Sequence, residues 1–550
     1  MKKILWSGFV SAAILLQTVA AQGVMETSTI SPQPASFMTQ PATKLTQAQR
    51  EEIMDKLERI HEAMAAAEAA RGLQGVNDGL PSLPGVASEV RIDVAGLTHP
   101  LPTSDIVLGR NNTNPNANFP GGGSAASTLA EPAGANEGKG VLMAGNFDHL
   151  EVSMDGGSTW GSFIVPAGPA AAPIACCDWD IQYDKGRGLT IATTLYINGA
   201  ATEGQIAMFV FRNINPVLLP CAYIFDEPGV VLMDFPHVQF TNDFIYLATN
   251  DIGGGTQNAR MRRIPTDPIY DCAGGVPIST FAWNFAVEGQ KVWRGTEGGT
   301  GVAYWAHHVN ATTIRIFTWP EFLAAPGNIT RVIGMSTFTN ADCRGGAQVP
   351  QTDWSDTVQT SIIGFTLHGS QGAGKVLLVW PVNTDGLHPQ AHLHMAVFNT
   401  NAGNTLVTQP VVFNPGFCWG VGTVSSNEQG NFGMASAVGG RAGGGGAGFP
   451  AANAASPVYG ISDDFTIPGV NFPLHIAPAG MAGSHNRTDA RYGDYFTIHR
   501  SAPCDLGWGA TGYALVGGTG TANVVSRWTE FHRQRDAKCV LGWRDSTRTP

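Results

Sequence analysis

From about residue 91 onward, short β-forming runs follow one another with no helix of ordinary length between them, and this limits the fold more than any other feature. Examples are LTIATTLYI (189–197), FIYLA (244–248), TIRIF (313–317) and KVLLVW (375–380). Each is bounded by Gly, Asn, Asp or Pro, the residues that end strands and build tight turns. Only 14% of residues are charged while Gly fills 68 positions, which suits many turns and few helices. The open choices are sandwiches, a β-helix or a propeller.

An internal repeat favours the last. Asp180-Ile181-Gln182-Tyr183 and His237-Val238-Gln239-Phe240 share the order polar, branched, Gln, aromatic, and each leads into a turn and a β run. Further repeat starts fall near Gly301, Ser355, Gly420 and Arg491. Spacings of roughly 55–70 residues suit a four-stranded blade with long loops. The expectation is an all-β chain, a six- or seven-bladed β-propeller over residues 91–550 with a short N-terminal helix. The Gly- and Ala-rich stretch 439–448 reads as a surface loop within one blade.

The N-terminus sets the compartment. Lys2 and Lys3 precede a mostly apolar stretch, and small residues end it at Val19-Ala20-Ala21, so residues 1–21 read as a signal peptide. No Cys follows to carry a lipid, and no later run is apolar enough to span a bilayer. The expected location is secreted or periplasmic. Eight cysteines (Cys176, Cys177, Cys221, Cys272, Cys343, Cys418, Cys504 and Cys539) then read as disulfides, and no C-x-x-C pair suggests zinc. As neighbours, Cys176 and Cys177 are expected to bond different partners.

Residues 22–45 look like a mobile Ser-, Thr-, Pro- and Gln-rich leader. An amphipathic helix is expected over about 46–71. Thr46 and Gln49 form a capping box, and Ile53, Leu57, Ile60 and Met64 share a narrow apolar stripe that packs on the main domain or another chain. Residues 72–90 read as a linker. The net charge of −11 argues against nucleic acid as a partner but leaves room for a local basic pocket.

One motif is specific. In Ser153-Met154-Asp155-Gly156-Gly157-Ser158-Thr159-Trp160, Asp155 can accept backbone N–H groups two or three residues ahead. Gly156 and Gly157 permit positive φ, and Trp160 returns the chain to a strand with a ring that packs between sheets. These residues resemble the Asp-box of sialidases and related BNR-repeat proteins, matching Ser-x-Asp-x-Gly-x-Thr-Trp. The resemblance implies a hairpin clasp between the third and fourth strands of a blade, away from the catalytic face. Ser153, Asp155, Gly157, Thr159 and Trp160 are thus structural. No second clean copy is present, and Arg263-Ile264-Pro265 resembles the family's Arg-Ile-Pro motif but follows the box instead of preceding it, so it is read as coincidence.

The resemblance also implies a chemistry: arginines clamp a substrate carboxylate, a Tyr–Glu pair supplies the nucleophile, and an Asp acts as acid/base. Arg187, Arg294, Arg344 and Arg491 are the candidate arginines. Arg491-Tyr492-Gly493-Asp494-Tyr495 gathers Arg, Tyr and Asp in five residues, the alternative being a structural Arg–Asp pair. The acids Asp178, Asp180, Asp184, Asp234 and Asp356 form a second set. Asp178, Asp180 and Asp234 fall where inner strands begin, with His237 following, and could act as acid and base or hold a divalent cation; turn capping is the plainer role. In a third set, His392 and His394 point the same way on a strand with His388 nearby, as metal ligands could, whereas His307 and His308 point apart. Trp354, Trp380 and Trp419 could stack on sugars or pack the core. No organic cofactor is expected. The reading is a sialidase-like glycoside hydrolase acting on extracellular glycans, with catalytic candidates Arg491, Tyr492, Asp494, Asp178, Asp180 and Asp234 and substrate-binding candidates Arg294, Arg344, His237 and Tyr495. The alternative is a non-catalytic propeller that binds glycans or proteins at the cell surface.

Overall fold

The computed structural model describes residues 23–63 (except 35, 40, 43–44, 47, 51, 54, 58 and 61–62), 89–91, 106–113, 132–138, 140–145, 149–212, 221–253, 258–284, 292–310, 312–333, 368–382, 388, 390–413, 418–439, 454–463, 474–477, 483–484, 496–502, 505–516 and 524–536. Their strands form seven antiparallel-built sheets. In chain order these are blades 1 (from Ala133–Glu137), 2 (Asp180–Asp184), 3 (Leu232–Phe240), 4 (292–297), 5 (His368–Gly372), 6 (Cys418–Ser426) and 7 (Ile498–Arg500), each named by its innermost strand.

The core is divided between the blades. One apolar cluster joins Leu142 and Leu150 of blade 1 to Trp179 and Phe209 of blade 2. Others join blades 2 and 3 through Leu195 and Val238, blades 3 and 4 through Phe281 and Trp305, and blades 4 and 5 through Ile316 and Trp380. Val379 with Val424 and Tyr459 with Phe531 continue the series across blades 5, 6 and 7. Val141 and Met143 packing on Trp528 then bring blade 7 back to blade 1. The seven sheets therefore close into a propeller ring. Trp380 and Trp419 belong to this core and are fully buried, so neither is a sugar-stacking platform; Trp354 lies outside the described residues.

The N-terminal segment is part of the ring's rim. Gly23–Ile30, expected within a mobile leader, is a strand paired antiparallel along the outer edge of blade 3, from Gly23 opposite Trp283 to Ile30 opposite Val276. Its sequence alternates, and Glu26 reaches the buried Arg260 guanidinium at 2.6 Å. Pro32 then bridges to Tyr223 of blade 2, and the Ala42 N–H donates to Val165 O of blade 1 at 2.8 Å. Described residues between 48 and 63 are helical. Gln49 Oε1 accepts from the Thr46 N–H at 2.9 Å, the Gln49 N–H donates to Thr46 Oγ1 at 3.3 Å, and Ile53 and Leu57 are buried against blades 2 and 3. Met64 lies outside the described residues. Ile106–Thr113 supplies the outer strand of blade 7, paired with Val524–Arg533, so chain segments more than 400 residues apart complete one sheet.

Two disulfides are described, Cys221–Cys272 and Cys176–Cys177. The second corrects the expectation that these neighbours bond elsewhere: both are buried between blades, with their Cα atoms 3.7 Å apart, and no other described thiol reaches them. Cys418 is also disulfide-bonded. Cys343, Cys504 and Cys539 lie outside the described residues.

Candidate functional site

In a four-stranded antiparallel blade, the turns after the first and third strands lie at one end of the ring. The 153–160 turn joins the third and fourth strands of blade 1, His149–Ser153 and Gly161–Ile164. Asp155 Oδ1 accepts from the Thr159 N–H at 2.8 Å and from Ser153 Oγ at 2.8 Å, and Oδ2 accepts from Thr159 Oγ1 at 2.7 Å. The accepted N–H is four residues ahead rather than two or three. Gly157 donates to Ser153 Oγ at 2.6 Å, and Gly156 and Gly157 hold φ of 77° and 88°. Trp160 packs on Val141, Met143 and Trp528. Burial pushes the Asp155 carboxyl up, but these hydrogen bonds outweigh it and hold it below the ordinary range.

Five of the sequence candidates converge on the propeller axis. Asp178 and Asp180 enter the inner strand of blade 2, and Asp234 and His237 occupy that of blade 3. The Phe235 N–H donates to Asp178 Oδ2 at 3.3 Å, and the Val238 N–H to Asp180 Oδ2 at 2.6 Å, so these acids stitch two blades together. His237 Nε2 stands 3.8 Å from the same Asp180 oxygen. Arg294, on the inner edge of blade 4, covers the Phe235 ring at 5.6 Å and acts electrostatically on Asp180 and His499. Gly295 beside it lets the chain approach blade 3, since a Cβ there would lie 2.1 Å from Gln239 Cδ.

Sequence reasoning missed two members of this cluster. Glu297 closes the inner strand of blade 4, where Gln182 Nε2 donates to its Oε1 at 2.5 Å. His499, on the inner strand of blade 7, places Nδ1 3.3 Å from Glu297 Oε2. Burial is the largest influence on Asp180 and lifts its pKa to about 6, with His499 and Arg294 opposing. Burial alone would lower His499, but Glu297 and then Asp180 raise it above its ordinary value. The clue to Glu297 was its setting between Gly295 and Gly298-Gly299, which marks close backbone approach.

A cavity of about 370 Å³ opens beyond this cluster. It is lined by the ends of inner strands and the turns after them, including Gln182–Arg187 (182–187), 240–242, 297–300, Ser425, Ser426, His499, Arg500 and Asp505. These are first-to-second-strand turns, so the cavity shares its face with the 153–160 turn. Lys185 pairs with Asp505, and Arg187 with Asp184 at 3.1 Å and Asp267 at 2.6 Å. Burial, with Glu137, Asp184 and Asp505 nearby, pushes the Tyr183 phenol up to about 12.

The remaining candidates fall elsewhere. His392 and His394 do share a face, their Nε2 atoms 3.1 Å apart, with His392 Nδ1 on Gln390 O at 3.0 Å and the His388 ring 4.3 Å from that of His392. No group of three or more His, Cys, Asp or Glu among the described residues could hold a metal ion. Arg344, Asp356, Arg491, Tyr492, Asp494 and Tyr495 lie outside the described residues, as do 440–448 of the Gly-rich stretch.

The fold and the axial site define a seven-bladed β-propeller. No family model matches the chain, and no curated protein matches it. Solved structures that align include an exo-1,5-α-L-arabinanase from a bovine ruminal metagenomic library, at 9% identity, 64% of this chain, 98% of that one and a TM-score of 0.28. Aleuria aurantia lectin aligns at 11% identity over 65% and 97%, with a TM-score of 0.31. An α-L-arabinofuranosidase from Fusarium graminearum aligns at 10% identity over 73% and 92%, with a TM-score of 0.33. Likeness at this level does not choose a reaction. Among the described residues no helix is long and apolar enough to cross a membrane.

Proposed function

We propose that the protein is an exported, glycan-acting propeller, a sialidase-like glycoside hydrolase whose reaction centre lies on the ring axis. The observation that carries this is the convergence of Asp180, His237, Arg294, Glu297 and His499 beside a cavity, with Asp180 lifted by burial to about 6. A carboxyl poised near neutrality suits general acid work, and a guanidinium suits an anionic sugar. Export is supported by the basic-then-apolar N-terminus and by the disulfides.

A second reading has its own observation. Asp178 and Asp180 both accept backbone N–H groups of the next blade, so the axial acids also hold the ring together. On that reading the cavity binds a carbohydrate or glycoprotein without turnover. A fluorogenic sialoside, within a panel of exo-glycosides, separates the two on the purified full chain. The hydrolase reading expects turnover that falls about 100-fold or more in Arg294→Ala and Asp180→Asn, with Arg491→Ala and Asp494→Ala testing the neighbouring segment. Retained glycan binding with no turnover of any substrate supports the second reading and removes the first.

A further inference from the structure

We propose that Glu297 is the residue that meets the ligand in the axial cavity, and that His499 and Asp180 behind it are positioning residues that keep one exchangeable proton at the cavity wall. This places the acid–base site on the face of the 153–160 turn, opposite the face that the family resemblance implies.

The geometry is a chain of three groups running inward from the cavity. Glu297 and His499 both line it. Glu297 Oε1 is fixed by the Gln182 amide at 2.5 Å, which leaves Oε2 facing His499 Nδ1 at 3.3 Å. Behind His499, the Asp180 carboxyl is buried. Its Oδ2 accepts from the Val238 N–H, while Oδ1 has no hydrogen-bond partner in the protein. Two carboxylates flanking an imidazole in a dry axis share protons, because ionising every carboxyl there without charging the imidazole leaves buried charge uncompensated.

The other carboxylates of the cavity are already committed. Asp505 is held by Lys185 and Asp184 by Arg187. Both partners are permanent cations at neutral pH, so these acids stay ionised. Among the cavity's carboxylates, Glu297 is the one whose ion-pair partner titrates near neutrality. The charged and titratable groups facing His499 are Glu297, Asp180 and Arg294. Those facing Asp180 are His499, Arg294, Glu297 and His237.

The acceptor of the proton rests on the hydrolase reading above; the proton sharing does not. In hydrolysis, water adds to the anomeric carbon as the bond to the leaving oxygen breaks with its electron pair. The leaving oxygen takes the proton of Glu297, and the surplus proton of the water returns to the Glu297 carboxylate.

Selective histidine labelling of the full chain tests the chain of groups without any substrate. The His499 titration followed by NMR is expected above the ordinary histidine range in the wild type, and lower by about one pH unit or more in both Glu297→Gln and Asp180→Asn. A His499 titration unmoved by either substitution overturns the proposal, whatever the enzyme does; because the two variants alter opposite sides of the ring, one misfolded variant leaves the other decisive. With any glycoside that the wild type cleaves, Glu297→Gln should lower kcat about 100-fold with little change in KM. His499→Asn should shift the pH profile of kcat, and a loss of kcat with an unshifted profile overturns its positioning role. If the wild type cleaves nothing, the hydrolase reading fails while the titration still judges the proton chain.

Discussion

Replacing Asp180 with Asn should stabilise the protein at neutral pH and not at acid pH. Burial lifts the Asp180 pKa from the ordinary 3.8 to about 6. The protonated carboxyl is therefore the form that suits the folded axis. Below about pH 4 the folded and unfolded chains both carry that proton, and the full contribution is present. As pH rises from 4 to 6 the unfolded chain ionises first, and the contribution is lost through the folded pKa. One pH unit is roughly 1.4 kcal/mol, so the wild type loses about 3 kcal/mol across this window. Asn imitates the protonated acid, with its oxygen still free to accept from the Val238 N–H, and loses nothing there. Urea-unfolding midpoints by tryptophan fluorescence at pH 4 and pH 7.5 give the comparison. His237 and His499 titrate in both proteins, so the difference reports Asp180 and its coupling to His499. The variant should gain about 3 kcal/mol on the wild type between the two pH values. A gap that stays constant, or that moves in favour of the wild type as pH rises, refutes the argument: Asp180 is then ionised and held by His499 and Arg294 throughout.

Asp155→Ala removes three accepted hydrogen bonds from the 153–160 turn and should cost about 1–2 kcal/mol at pH 7, read by thermal unfolding, with the His499 titration unchanged. Because the Asp155 carboxyl is held below its ordinary range, that wild-type advantage should fade as pH falls through the acid range. Gly509→Ala would set a Cβ 2.2 Å from Trp528 Cζ2, and such overpacking in a ring interface should cost about 1–3 kcal/mol in the same assay. Replacing both Cys221 and Cys272 with Ser opens a 51-residue link and should lower stability by about 4 kcal/mol from restored chain entropy.

The residues that announced the fold are those whose signal is local. The Gln182 and Gln239 repeats both proved to be inner strands because a propeller imposes the same polar–apolar alternation wherever a strand meets the axis. Asp155 and its glycines act within eight residues, and so does the Thr46–Gln49 cap. Glu297 and His499 escaped notice because what joins them is ring geometry between blades 4 and 7, across 202 residues of sequence. The strand Gly23–Ile30 looked like leader for a related reason: its outer face is solvated, and its partner lies some 250 residues away. The paired Cys176 and Cys177 show that adjacency gives no guide to pairing when the surroundings offer no other thiol.

The outer strand of blade 7 has a consequence for how the chain is made. Ile106–Thr113 emerges early in synthesis, yet its partner Val524–Arg533 is among the last segments to appear. Until then an early strand lacks its native edge, and the ring stays open with the blade 1 face that belongs against Trp528 uncovered. Such a gap invites strand exchange between nascent copies, and the pairing it awaits is about as non-local as a chain of this length permits. The circle shuts in a single late event, so a truncation near residue 520 should yield aggregates instead of a shorter propeller.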